Sequence, residues 1–150
     1  MRAIGENDYR RGAAERLAES RLILRAGRYG GCAYLAGRAV EAMFRAVIWK
    51  NDPEIRLGRK PLETGHDLRQ LLNVIRNLGL LRRPIDVMLQ VKAQRIARLW
   101  FNNMRFLSSR FVESRWRDLG EVHKRHTMKQ AAEDFSRVLE VVAQCEELCQ

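Results

Sequence analysis

The stretch GRYGGCAYLAGRAVEAMFRAVI, residues 27–48, decides the fold. Alanine and glycine recur between larger apolar residues. Cys32, Ala36, Ala39, Met43 and Val47 follow one another at steps of three and four, and Ala33, Val40, Phe44 and Ile48 form a second stripe beside them. That spacing predicts a helix from about Gly31 to Lys50, buried on more than one side. Its small side chains let neighbouring helix axes come close. It is therefore expected to be the central helix of an all-helical domain.

The flanking segments agree. A first helix is predicted from about Asp8 to Ala26, capped by Asn7 and ended by Gly27, with Ala14, Leu17, Ala18, Leu22 and Leu24 among its apolar positions. Asn51, Asp52 and Pro53 stop the central helix, and residues 54–65 read as a polar loop. A shorter helix, about Asp67–Leu78, turns Leu68, Leu71, Leu72 and Ile75 inward, and a fourth runs from about Pro84 to Trp100. Residues 101–126 lack clean periodicity and read as a loop with helical pieces. The last helix starts at Thr127 with a Thr–x–x–Gln capping box, and its stripe is Met128, Ala131, Phe135, Val138, Val142, Cys145 and Cys149. That stripe suits docking on the bundle or a dimer seam.

With 150 residues, 46% of them hydrophobic and 31% charged, the chain is long enough for one globular domain with a real core, spanning 1–150. No run approaches the roughly 20 apolar residues of a membrane span. The start, MRAIGENDYRR, lacks the apolar run of a signal peptide, so a cytoplasmic protein is expected. The cysteines Cys32, Cys145 and Cys149 match no metal or redox spacing and read as small apolar residues in a reducing compartment. Neither a metal nor a cofactor is expected.

The net charge of +10 is unevenly spread. Residues 82–125 hold eleven Lys/Arg against four Asp/Glu, and residues 127–150 hold two against five. A basic middle suits a polyanion. Arginine also outnumbers lysine 23 to 5, which base composition alone can produce. Within the basic region, Trp100, Phe101, Arg105, Phe106, Arg110, Arg115 and Trp116 interleave aromatics with arginines. This suits stacking on unpaired bases and contact with phosphates, or ordinary packing of a loop. Trp100 and Phe106 are expected in the core, and Arg105, Arg110 and Arg115 are the candidate RNA- or nucleotide-binding residues.

Several short patterns, taken in order, resemble one family. Leu24, Gly27 and Tyr29 form the turn between the first two helices; Ala36 and Glu41 follow on the second; His66, Asp67 and Leu68 come after a variable loop; and WFNNMRF spans Trp100 to Phe106. Together they resemble the HEPN family, the higher-eukaryote and prokaryote nucleotide-binding domain. The resemblance implies an up-and-down bundle of four to five helices, usually a homodimer. It implies an RNA- or nucleotide-binding protein, such as a metal-independent endoribonuclease of a toxin–antitoxin or defence system, or a non-catalytic partner of a nucleotidyltransferase-like protein.

The resemblance implies that active members pair an arginine and a histidine separated by four to six residues. Arg117 and His123 enclose five residues, DLGEV, and are the catalytic candidates. A histidine titrating near neutrality could move a proton at a ribose hydroxyl, while arginine steadies charge on the phosphate. Gly120 departs from a helical setting for the pair, and with 23 arginines in the chain such a spacing also arises by chance. His126 is a nearby rival, or a solvated residue before the Thr127 cap. His66 reads as a site residue or as a loop anchor. Glu41, if buried, calls for Arg38 or Arg45 as its partner.

Overall fold

The computed structural model describes residues 4–62, 65–80 and 84–143, with side chains undescribed at 84–86, 88, 89 and 138–143. These residues form seven α-helices, one 3-10 turn and no strand. The helices are α1 (Glu6–Arg25), α2 (Tyr29–Asn51), α3 (Pro53–Arg56), α4 (Leu68–Asn77), α5 (Pro84–Leu99), α6 (Ser109–Asp118) and α7 (Met128–Ala143); the 3-10 turn is Asn102–Phe106.

Helix α2 is the centre. It packs most extensively on α1, then on α7, and also meets α3, α4, α6 and the 3-10 turn. Both predicted stripes are buried, from Cys32 and Ala33 to Val47 and Ile48. Burial pushes the Cys32 thiol up to about 11, consistent with an inert core residue. Two glycines carry the closest approaches. A Cβ on Gly30 would lie 3.0 Å from the Ser109 backbone, and one on Gly37 would lie 2.0 Å from the Trp100 indole. Trp100, 4% exposed, lies against Gly37 and donates its indole N–H to the Tyr34 carbonyl at 3.0 Å.

The α1–α2 turn is set by Gly27, at φ 72°: its N–H reaches the Leu24 carbonyl, and the Arg28 N–H reaches Ile23. This paired closure needs a left-handed residue, which glycine supplies without a Cβ penalty. Asp67 caps α4 by accepting from the Arg69 N–H at 2.8 Å. Thr127 and Gln130 exchange the bonds of the expected capping box at α7.

Several local expectations are corrected. Gly5, not Asn7, stands before α1, with its N–H on Asp8. Of the α1 apolar positions, Ala14 and Ala18 are exposed and Leu22 is 62% exposed, while Ala13 and Ser20 are the buried ones. Close packing on α2 favours the face with the smallest side chains over the face with leucine. The loop after α2 begins with the single-turn α3, because Asp52 caps it and Ile55 is buried. Phe106 is 72% exposed, not core. Side chains three apart eclipse in a 3-10 turn, so Phe101, Met104 and Leu107 face the core and Phe106 does not. Trp116 is instead fully buried and bonded to the Leu99 carbonyl, so it offers no stacking surface. On α7, Met128, Ala131 and Phe135 are buried as expected. The Val138 and Val142 side chains, and Cys145 and Cys149, lie outside the described residues.

Candidate functional site: an arginine-lined cleft and a histidine loop

Arg38, Glu41 and Arg45 recur at three and four residues on α2, so they share a face. Glu41 is only 2% exposed. Its carboxylate accepts from Arg38 at 2.5 Å and from Arg45 at 3.1 Å, and Arg45 also reaches the Leu62 carbonyl. A buried carboxylate without such donors would be strongly unfavourable. The third partner comes from the loop: His66 Nδ1 lies 2.7 Å from Glu41 Oε1. His66 has φ 62°, a left-handed conformation uncommon for a residue with a side chain. It therefore anchors the loop, as one of its two readings held, although through Glu41 rather than through its own helix start.

His66 also borders a cleft of about 430 Å³ between the start of α4, the end of α5 and α6. Arg69, Arg98 and Arg115 line it, with Phe101 and the amides of Asn102 and Asn103. Among the described residues, Arg69 and Arg115 have no carboxylate partner. Arg115 lies over the Phe101 ring at 4.7 Å, a cation–π contact that holds the guanidinium while leaving its edge accessible. Arg98 shares Glu121 with Arg95, at 2.8 and 2.5 Å. Burial alone would push the Glu121 carboxyl up, but the Arg95 and Arg98 hydrogen bonds and charges outweigh it and hold it below its ordinary value.

At the far end of α6, Gly120 adopts φ 79° and closes the helix, its N–H on the Arg117 carbonyl and that of Glu121 on Trp116. Arg117 thus sits in the last helical turn, exposed and paired with Glu113 at 2.8 Å. His123 lies beyond the helix, in a tight hairpin where His123 and His126 exchange backbone bonds. The two histidines differ sharply. His126 is bonded at both ring nitrogens, to the Glu121 carbonyl at 2.7 Å and to Asp134 at 2.8 Å. The Glu121 carbonyl and then Asp134 raise its pKa above the ordinary value, against the smaller opposing effect of burial. It is a clamp between the hairpin and α7, not the solvated residue of one expectation. His123 is exposed, and its Nδ1 only meets the Arg125 N–H at 3.4 Å.

The family model for the HEPN domain matches residues 7–148. The chain belongs to the HEPN domain family. No curated protein and no solved structure gave a significant match. The all-helical architecture agrees with membership, which ties the protein at family level to RNA- and nucleotide-related function. No helix among the described residues is long and apolar enough to cross a membrane.

In this HEPN domain, the sequence-predicted residues fall into separate places. Arg115 lines the cleft, while Arg105 lies over the exposed Phe106 ring at 4.5 Å. Arg110 and Arg115, five residues apart on α6, diverge by about 140° around the helix. No hydrogen bond or ion pair joins Arg117 to His123 among the described residues. Arg69 and Arg98 were not singled out by the sequence. Each comes from a different helix, so no spacing links them to Arg115; their one signal is position, one just after the Asp67 cap and the other just before Trp100.

Proposed function

We propose that this HEPN protein acts on RNA in the cytoplasm, as a metal-independent endoribonuclease of a toxin–antitoxin or defence system. Arg105 from the 3-10 turn and Arg110 and Arg115 from different faces of α6 contact RNA phosphates at separate points, Arg117 steadies the scissile phosphate, and His123 moves the proton. The observation that carries this reading is the contrast between the histidines of the hairpin. His126 has both ring nitrogens engaged, so it cannot exchange a proton without losing a bond. His123 is exposed beside the cationic Lys124 and Arg125. An imidazole with a free nitrogen in a basic surround suits proton transfer on an RNA phosphate. Because Arg117 and His123 are not joined within one chain, a homodimer that brings Arg117 of one copy to His123 of the other completes the pair.

The test is RNA cleavage in EDTA by the parent, Arg117→Ala and His123→Ala proteins. We expect cutting by the parent and a loss of at least about a hundredfold in each variant. Equal cutting by all three would refute the assignment.

A second reading is a non-catalytic module for a nucleotidyltransferase-like partner. It draws on the exposed Phe106 and Phe111, 72% and 52% accessible, at the 3-10 turn and α6. Under that reading Phe106→Ser with Phe111→Ser abolishes partner capture while the helical fold is kept.

A further inference from the structure

We propose that the cleft between α4, α5 and α6 is a binding site for a terminal phosphate, and that His66, held by Glu41, is one of its ligand-contacting groups. The proposal goes beyond the cleavage reading. It shares Arg115 with that reading but involves neither Arg117 nor His123.

Charge selects the ligand class. Three arginines line the cleft against one carboxylate, Asp67, and Asp67 is already engaged by the Arg69 and Gln70 backbone N–H groups. Arg98 already shares Glu121 with Arg95, and a phosphate monoester, which carries about −1.5 to −2 at neutral pH, matches the two guanidinium charges of Arg69 and Arg115 that have no carboxylate partner among the described residues. An internal phosphodiester, with a single charge, would leave one guanidinium unmatched. The three arginines approach from three different helices, so they can surround one group instead of tracking an extended strand. Guanidinium forks suit the several oxygens of a terminal phosphate. The volume, about 430 Å³, is that of a small-ligand pocket.

His66 supplies the second line of argument. Glu41 accepts from three donors, so the Nδ1 that approaches it to 2.7 Å must carry its hydrogen. This fixes the ring, as a carboxylate fixes a histidine in hydrolytic triads. The Arg38 approach to Nδ1, 3.0 Å, follows from both groups sharing one carboxylate. Nε2 is left with no partner among the described residues, and the His66 side chain is 44% exposed where it borders the cleft. With Nδ1 on the buried Glu41 carboxylate, Nε2 is the ring nitrogen left to face the cleft. Nε2 shares one hydrogen with a phosphate oxygen between Arg69 and Arg115. The groups facing His66 are Glu41, Arg38 and Arg45 from α2, Tyr9 from α1, and Asp67, Arg69, Arg98 and Arg115 around the cleft.

The experiment is a titration of the parent protein with inorganic phosphate, read by the side-chain nitrogen signals of its histidines. We expect the His66 Nε2 signal to move with saturation while Nδ1 keeps its Glu41 bond. Arg69→Ala and Arg115→Ala should each weaken phosphate binding about tenfold, the loss of one charge-assisted contact. A nucleoside monophosphate and a short RNA with a 5′-phosphate, each set against its 5′-hydroxyl form, then identify the source. Preference for the phosphorylated form in either case supports the site. The proposal is overturned if phosphate leaves His66 unmoved, or if 5′-phosphate and 5′-hydroxyl forms bind equally. Using the parent makes the readout independent of the folding of any His66 variant. A failed RNA-cleavage test leaves this readout unaffected.

Discussion

Gly37→Ala reverses the sign that helix propensity alone predicts. Gly37 lies inside α2, where alanine should stabilise by about 1 kcal/mol. The added Cβ, however, would fall 2.0, 2.1 and 2.4 Å from three atoms of the Trp100 indole. Trp100 is enclosed at 4% exposure and tied to the Tyr34 carbonyl, so it cannot turn aside freely. Overpacking of this kind costs about 1–3 kcal/mol, and the weakened indole bond costs about 1 kcal/mol more. Set against the propensity gain, the net loss is about 1–3 kcal/mol. Gly12→Ala in α1 is the control, because its new Cβ meets nothing within 4 Å. It should stabilise by about 0.5–1 kcal/mol. Urea unfolding of the three proteins measures both effects. A Gly37→Ala protein as stable as the parent would refute the argument that glycine is there to seat Trp100. Trp100 and Phe101 line the arginine cleft, so the same substitution should also weaken phosphate binding.

Two further predictions concern the ion-paired groups. Glu41→Gln leaves Arg38, Arg45 and His66 without their shared carboxylate; because Arg38 is 32% exposed, the expected loss is about 2–4 kcal/mol, and a loss below about 1 kcal/mol in urea unfolding would contradict the buried network. The pH dependence of stability should show two limbs. Glu121 titrates lower in the folded protein than when unfolded, so its contribution is present above its ordinary value of 4.5 and disappears as pH falls through the folded value. His126 titrates higher when folded, so its contribution is fully present below 6.5 and is lost as pH rises through the folded value. Glu121→Gln should flatten the limb below 4.5 and His126→Gln the limb above 6.5, both measured as urea midpoints against pH; unchanged limbs would refute the pairings.

The sequence reading succeeded where local periodicity sets the structure. The α2 stripes, the Asp67 and Thr127 caps, the first turn of α5 at Pro84 and the pairing of Glu41 with Arg38 and Arg45 all depend on residues within about one helical turn of each other. It failed where a residue had more than one apolar face to offer. Helix α1 could have turned Leu22 inward, but close contact with α2 chose Ala13 and Ser20. Phe106 left the expected core because 3-10 geometry, invisible to a helical period of 3.6, turned it outward, while α6 turned Trp116 in, the packing alternative of its two readings. In the sequence Gly120 reads as a break, but its role as the end of α6, which separates Arg117 from His123, emerges only from the backbone.

By itself, then, the amino-acid sequence determined an all-helical HEPN domain with a small-residue helix at its centre, because spacing and capping are properties of neighbouring residues. The tertiary structure alone decided which charges meet. Glu41 and His66 are 25 residues apart, and Arg69, Arg98 and Arg115 come from three helices. Electrostatic partners act through space, and no spacing along the chain records a distance that only the packing of helices creates.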